Sequence, residues 1–185
     1  MSRPTVAYQG LPGAFSHEAC LAFLPGYDPV AYPQFADVIS AVAEGTCDIG
    51  ILPIENNAAG PVEEVMRLLA QCGLKKVADH VLPVRMHLLA VPGAELARIT
   101  RAISHPVALA QCRDTLRALR LPSEGAINTA AAARMLSTTR DRETAVLASE
   151  AAAEAYGLTI LRRDMHDRPD NATTFRVLAR PDEPA

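Results

Sequence analysis

The chain has 185 residues and a net charge of −3, from 18 Lys plus Arg against 21 Asp plus Glu. Its hydrophobic fraction of 49% and charged fraction of 21% are those of a folded domain, and the length suits one domain or two small lobes. No basic stripe recurs to hold nucleic acid, and no run of about 20 apolar residues is present to span a membrane.

The N-terminus has one Arg, then Pro and the strand-like TVAY, without the apolar segment of an export signal. The four cysteines, Cys20, Cys47, Cys72 and Cys112, form no CxxC pair and read as free thiols. Both features suit a reducing cytoplasm.

In chain order, TVAY at 5–8 reads as a strand followed by the Gly/Pro loop GLPGAFS. A helix is expected from His17 to Leu24 with Ser16 as its N-cap. A short strand near Val30–Tyr32 precedes a helix from Phe35 to Glu44 that repeats apolar residues at Phe35, Val38, Ile39 and Val42 and stops at Gly45. DIGILPI at 48–54 has the texture of a buried parallel strand. The polar loop ENNAAG follows, and Pro61 opens a helix ending before Gly73. Lys76–Val91 reads as extended chain.

A second series repeats the first coarsely. It comprises AIS at 102–104, a helix from Pro106 to Leu119, GAIN at 125–128 and a helix through TAAAARML. TAVLAS at 144–149 is again strand-like, and EAAAEAY is a helix stopped by Gly157. LTILRRD and TTFRVLA close the chain around the loop HDRPDNA. The pattern predicts an α/β protein of two lobes, one near 1–80 plus 165–180 and the other near 85–164, with a disordered tail at 181–185. Ligands of open α/β sheets sit beyond strand C-termini, so a cleft between the lobes is the expected site.

Several chemistries have no signature here. There is no GxGxxG, Walker-type loop, HExxH or GxSxG. His17, His80, His87, His105 and His166 lack metal-ligand spacing, so no metal and no cofactor is expected. Polar residues gather instead where strands end, in GAFSH, PIENN, ISHP and INTA. Strand-to-helix junctions expose unpaired N–H groups and a positive dipole end, which suit a carboxylate or phosphate. One such junction is an ordinary cap; four in a two-lobed chain suggest a site for a small anion.

Taken in order, YQGLPGAFSHEA, DIGILPIENNAAG, ISHPVALAQC, INTAAAA and HDRPDNATTF resemble the successive motifs of prephenate dehydratases, from about Tyr8 to Val177. The resemblance implies a catalytic domain of the type II periplasmic-binding-protein kind, with the active site in the interlobe cleft. It implies a carbon–oxygen lyase that converts prephenate to phenylpyruvate with loss of carbon dioxide and water, in phenylalanine biosynthesis and without a cofactor. It further implies a dianionic small-molecule substrate and a homodimer.

By the same matching, Thr173 of the closing motif would protonate the leaving hydroxyl. A Thr hydroxyl is a poor acid, so a relay with Glu55 or His105 is expected. Ser16, Asn56, Ser104, Gln111, Thr129, Asn171 and Phe175 would contact the substrate. The sequence departs from the family at two places: Thr174 stands where the family has Arg, and Asn57 where it has Ser. Arg176, two residues on, would lie on the same strand face as Thr174 and could replace the missing cation. Without it, arogenate, whose ammonium lowers the net charge, becomes a second candidate substrate. A non-aromatising prephenate decarboxylase and an inactive small-anion sensor are the remaining readings of the same motifs. Many relatives append an ACT regulatory domain; none is expected within these residues.

Overall fold

The computed structural model describes residues 3–181. The expected disordered tail lies, apart from Pro181, outside the described residues. The chain divides into two compact units. Unit 1 takes in the residues up to Leu11, Phe15–Val84 and those from Asn171 onward; unit 2 takes in Pro12–Ala14 and Arg85–Asp170.

In unit 1, strands β1 (Thr5–Gln9), β2 (Asp28–Tyr32), β3 (Ile49–Asn56), β4 (Gly60–Pro61), β5 (Lys75–Pro83) and β11 (Ala172–Ala179) form one sheet. Its order is β2-β1-β3-β11-β5, with β4 paired to β3. Helix α1 (Phe15–Phe23) covers one face, where Val6, Tyr8, Ile51, Phe175 and Val177 form a core with Ala19 and Cys20. Helices α2 (Phe35–Ala43) and α3 (Glu63–Leu69) contribute Val38, Ala41, Val42 and Val65 to a second core with Ala7, Leu52 and Ile54. Each fully buried Leu, Ile or Phe contributes roughly 1.5–3 kcal/mol.

In unit 2, strands β6 (His87–Ala90), β7 (Arg101–Ser104), β8 (Ser123–Gly125), β9 (Thr144–Ala148) and β10 (Thr159–Arg162) form a sheet in the order β10-β6-β9-β7-β8. Strand β9 runs through the centre, and all five of its residues are buried. Helices α4 (Pro106–Gln111), α5 (Arg113–Ala118), α6 (Thr129–Thr139) and α7 (Glu150–Tyr156) complete the unit. Small side chains at Ala132, Ala133, Ala152 and Ala153 bring α6 and α7 close to Leu89 and Val146, which explains how an alanine-rich chain fills a core.

The structure corrects the sequence reading in several places. Helix α1 starts at Phe15, so Ser16 lies inside it, buried, and is not its N-cap. The expected loop after DIGILPI is strand through Asn56, because β3 pairs there with both β4 and β11. It is also not a purely parallel strand: β1 runs parallel to it and β11 antiparallel. Pro61 belongs to β4, and the helix opens at Glu63.

The helix expected over 106–119 is broken at Cys112 (φ −117°, ψ 14°). The Asp167 carboxylate accepts hydrogen bonds there from the Asp114 and Thr115 N–H groups, at 3.0 and 2.9 Å, and caps the second piece from outside. The strand expected at GAIN lies earlier: β8 covers Ser123–Gly125 and shares only Gly125 with it, while Asn128 caps α6. The lobe boundary also shifts. Met165 N–H donates to Met86 O at 2.7 Å and Asp167 N–H to Gln111 O at 2.8 Å, which ties 165–170 to unit 2.

Candidate active site

Strand β11 enters unit 1 beside the end of β3. The partners are Thr173 with Asn56 and Thr174 with Glu55, then Phe175 with Pro53, so Ile54 is the extra residue of a β-bulge. The bulge re-aims the end of β3 and places Asn56 on the same face as Thr173.

Asn56 Nδ2 donates to Thr173 Oγ1 at 2.9 Å, to Asn171 Oδ1 at 2.9 Å and to the Ala172 carbonyl at 3.1 Å. Its Oδ1 accepts from Ala58 N–H at 3.0 Å and Ala59 N–H at 2.9 Å. Asn57 closes the arrangement: its Oδ1 accepts from Ala172 N–H at 2.9 Å, and its own N–H donates to Ala172 O at 3.0 Å. Thr173 is 8% exposed and Asn171 4%. A buried hydroxyl, the motif PIENN and the motif NATTF thus meet at one point, although the two motifs are more than 100 residues apart in the chain.

Other expected site residues of unit 1 stand differently. Glu55 is exposed and lies across from Thr174. Neighbouring strand residues project to opposite faces, so Glu55 leaves the face that carries Thr173, and no Glu55–Thr173 relay is assembled. Phe175 is 1% exposed, within the core under α1. Arg176 does share the Thr174 face, as expected, but its guanidinium is engaged. Nε and Nη2 reach Asp79 Oδ1 and Oδ2, both at 2.9 Å. Lys76 Nζ adds a contact to Asp79 Oδ2 at 2.7 Å. Hydrogen bonding to Arg176 foremost, then to Lys76, holds the Asp79 carboxyl well below its usual range despite partial burial.

In unit 2, each strand-to-helix junction is occupied by its own polar side chain. Ser104 is fully buried, and its hydroxyl donates to Leu147 O at 2.7 Å across the sheet. His105 is the N-cap of α4, with Nδ1 accepting from Val107 N–H at 3.2 Å. Its neutral ring therefore carries the proton on Nε2. Thr129 is the first residue of α6, whose N-cap is Asn128, with Oδ1 accepting from Ala131 N–H at 2.6 Å. Gln111 ends α4, half-buried, and its carbonyl receives Asp167 N–H.

Sequence reasoning passed over Ser149. It is fully buried, caps α7 by accepting from Ala152 N–H at 3.0 Å, and donates to Gly13 O at 2.7 Å. A serine directly after an apolar strand and before Glu-Ala-Ala-Ala is itself a cap signal.

Burial lowers the pKa of His17, whose ring lies 5.2 Å from that of Tyr8. Burial also lowers that of His87, whose Nδ1 accepts from Asp164 N–H at 3.1 Å. Both rings are thus favoured neutral at pH 7. Among the described residues no group of three or more His, Cys, Asp or Glu is placed to hold a metal ion. No helix there is long and apolar enough to cross a membrane.

The family model of prephenate dehydratase matches residues 6–183. The chain belongs to the prephenate dehydratase family. It is 39% identical over 175 residues to a bifunctional N-acyl-homoserine lactone acylase/prephenate dehydratase of Komagataeibacter europaeus, covering 95% of this chain and 62% of that protein. It is 40% identical over 179 residues to arogenate dehydratase/prephenate dehydratase 2 of Arabidopsis thaliana, covering 97% of this chain and 47% of that one. The chain therefore spans between about half and two thirds of the length of these relatives.

Among solved structures, a quorum-quenching acylase, GqqA, superposes with a TM-score of 0.89 at 39% identity, over 98% of this chain and 65% of that one. The prephenate dehydratase of Arthrobacter aurescens, solved with L-Phe, superposes with a TM-score of 0.86 at 29% identity, over 97% and 61%.

Proposed function

We propose that this chain catalyses the decarboxylating dehydration of prephenate to phenylpyruvate. The observation that carries the proposal is the Thr173 hydroxyl, buried at the junction of PIENN and NATTF and receiving an N–H from Asn56. In the reaction the bond to the departing carboxylate breaks and its electron pair enters the ring. The ring hydroxyl leaves with its own electron pair and takes a proton from Thr173, which solvent later restores. The products are carbon dioxide, water and the aromatic ring, whose formation supplies the driving force. The protein has only to orient the substrate and ease the exit of oxygen.

The loss of the family arginine at position 174 does not argue for arogenate. Position 174 lies on the sheet face opposite Thr173, so a cation there would not share the Thr173 face. Prephenate is therefore the substrate we assign. The setting we propose is a homodimer in a reducing cytoplasm, consistent with the four cysteines being free.

Purified protein is incubated with prephenate, with arogenate and, because one relative is also an acylase of such compounds, with an N-acyl-homoserine lactone. The expected product is phenylpyruvate from prephenate, formed about 100-fold or more slowly in Thr173→Ala. Phenylalanine formed from arogenate with prephenate left intact would transfer the assignment to arogenate. Lactone cleavage alone would overturn it. Light scattering at the protein's working concentration tests the dimer.

A further inference from the structure

We propose that Asn56 is a positioning residue that keeps the Thr173 proton aimed at the leaving oxygen, a role that rests on the dehydratase reading above. The amide orientation is fixed by its other end. Oδ1 accepts from the Ala58 and Ala59 N–H groups, so only the NH2 end faces Thr173. An Oγ1 that receives a hydrogen bond from Asn56 has its own proton free to point elsewhere.

The incoming N–H has a second effect. As Thr173 releases its proton, negative charge develops on Oγ1, and a preplaced donor stabilises that charge without reorganising. This answers the weakness of a Thr hydroxyl as an acid without a relay through Glu55, which faces away. The same NH2 group also holds Asn171 Oδ1 and the Ala172 carbonyl. It therefore orders the backbone on the N-terminal side of Thr173 as well as the hydroxyl itself.

Aspartate has nearly the shape of asparagine, but its carboxylate only accepts. In Asn56→Asp the Thr173 proton would turn toward the carboxylate and away from the substrate. Protonating that carboxyl restores a donor. The variant's activity relative to the unmodified protein should therefore rise as pH falls, which simple damage to the fold would not produce.

The test measures kcat and KM with prephenate for the unmodified protein, Asn56→Asp, Asn56→Ala, Thr173→Val and the Asn56→Asp/Thr173→Val double variant. The range is about pH 4.5 to 8.5, spanning the upper part of carboxyl titration, with the spontaneous reaction subtracted at each pH. At neutral pH Asn56→Asp should lose roughly 100-fold in kcat with KM little changed. It should recover about tenfold relative to the unmodified protein toward the acid end, while Asn56→Ala recovers nothing. In the Thr173→Val background Asn56→Asp should cost less than about threefold, since residues that act as one unit are not additive. A loss that is flat with pH, or that multiplies in full with Thr173→Val, overturns the proposal.

A second arm needs no turnover. In 15N-labelled protein the Asn56 side-chain NH2 signals should shift and exchange faster in Thr173→Val. Signals that do not move overturn the proposal whatever the kinetics show. If neither prephenate nor arogenate is converted, the dehydratase reading fails by itself, and the NMR result still decides whether Asn56 holds Thr173.

Discussion

The two units treat the same sequence signal in opposite ways. In both, an apolar strand ends in short polar side chains. In unit 2, Ser104, His105, Asn128 and Ser149 turn back onto their own backbone or the neighbouring strand, where their hydrogen bonds hold sheet and helix together. In unit 1, the bulge in β3 displaces the register by one residue, and the polar groups of two distant motifs converge on a single hydroxyl. A polar residue after a strand is thus a cap wherever a helix begins at once. It becomes material for a site where the strand continues and a second strand arrives beside it.

The comparison is broken most directly by exchanging the roles. Thr173→Ala should lower kcat by about 10²–10⁴-fold, the usual weight of a positioned proton donor, while thermal stability stays close to that of the unmodified protein. His105→Ala removes a cap bond from a half-exposed ring and should cost about 0.5–1 kcal/mol of stability, with kcat within about threefold. Loss of 100-fold or more in His105→Ala would return His105 to the chemistry and erase the contrast between the units.

A smaller effect separates two glycines of unit 2. Gly13 has φ +83°, and a Cβ there would lie 2.5 Å from Ala152 Cα. Gly157 has φ +62°, and a methyl placed there would meet nothing within 4 Å. Gly157→Ala should cost about 1 kcal/mol for the backbone alone. Gly13→Ala adds overpacking against α7 and should cost roughly 2–4 kcal/mol, read as the shift in urea midpoint. Ser149→Ala falls between them at about 1–2 kcal/mol, because it removes both the cap of α7 and the buried hydrogen bond to Gly13 O. Equal costs for the two glycines would mean that the PGA turn is not held against α7.

The alternation of strands and helices was legible because apolar runs such as DIGILPI and TAVLA are bounded by turn residues. Gly45 and Gly157 marked the stops of α2 and α7. Three kinds of fact were hidden. Asp167 caps a helix some 50 residues earlier in the chain, and nothing local in Cys112-Arg113-Asp114 announces the break. The bulge at Ile54 has no composition of its own, yet it decides that Asn56, and not Glu55, faces Thr173. The engagement of Arg176 depends on Asp79, 97 positions away on a strand that reads only as extended chain. Thr173, Asn56 and Asn171 were reachable from the motifs; how they bond to one another was not.

The Asp79–Arg176 pair sharpens the comparison at the lowest energy. Its side chains are 25% and 23% exposed, so the bidentate contact contributes about 1 kcal/mol at most. The Asp79 pKa is depressed in the folded state, so that stability is present above the ordinary aspartate value, about 3.9. It is lost as pH falls below that value through the folded one. Asp79→Asn should therefore be slightly less stable than the unmodified protein at pH 7, with the difference closing in strong acid, as read by urea midpoints. The same variant releases Arg176. If Arg176 bound a substrate carboxylate, freeing it would lower KM for prephenate by about tenfold or more, the scale of a charge-assisted pair. Because Arg176 stands on the face opposite Thr173, KM should instead stay within about twofold, the range of a surface change remote from the site. A pronounced fall in KM would place substrate on the Thr174 face and displace Thr173 from the chemistry.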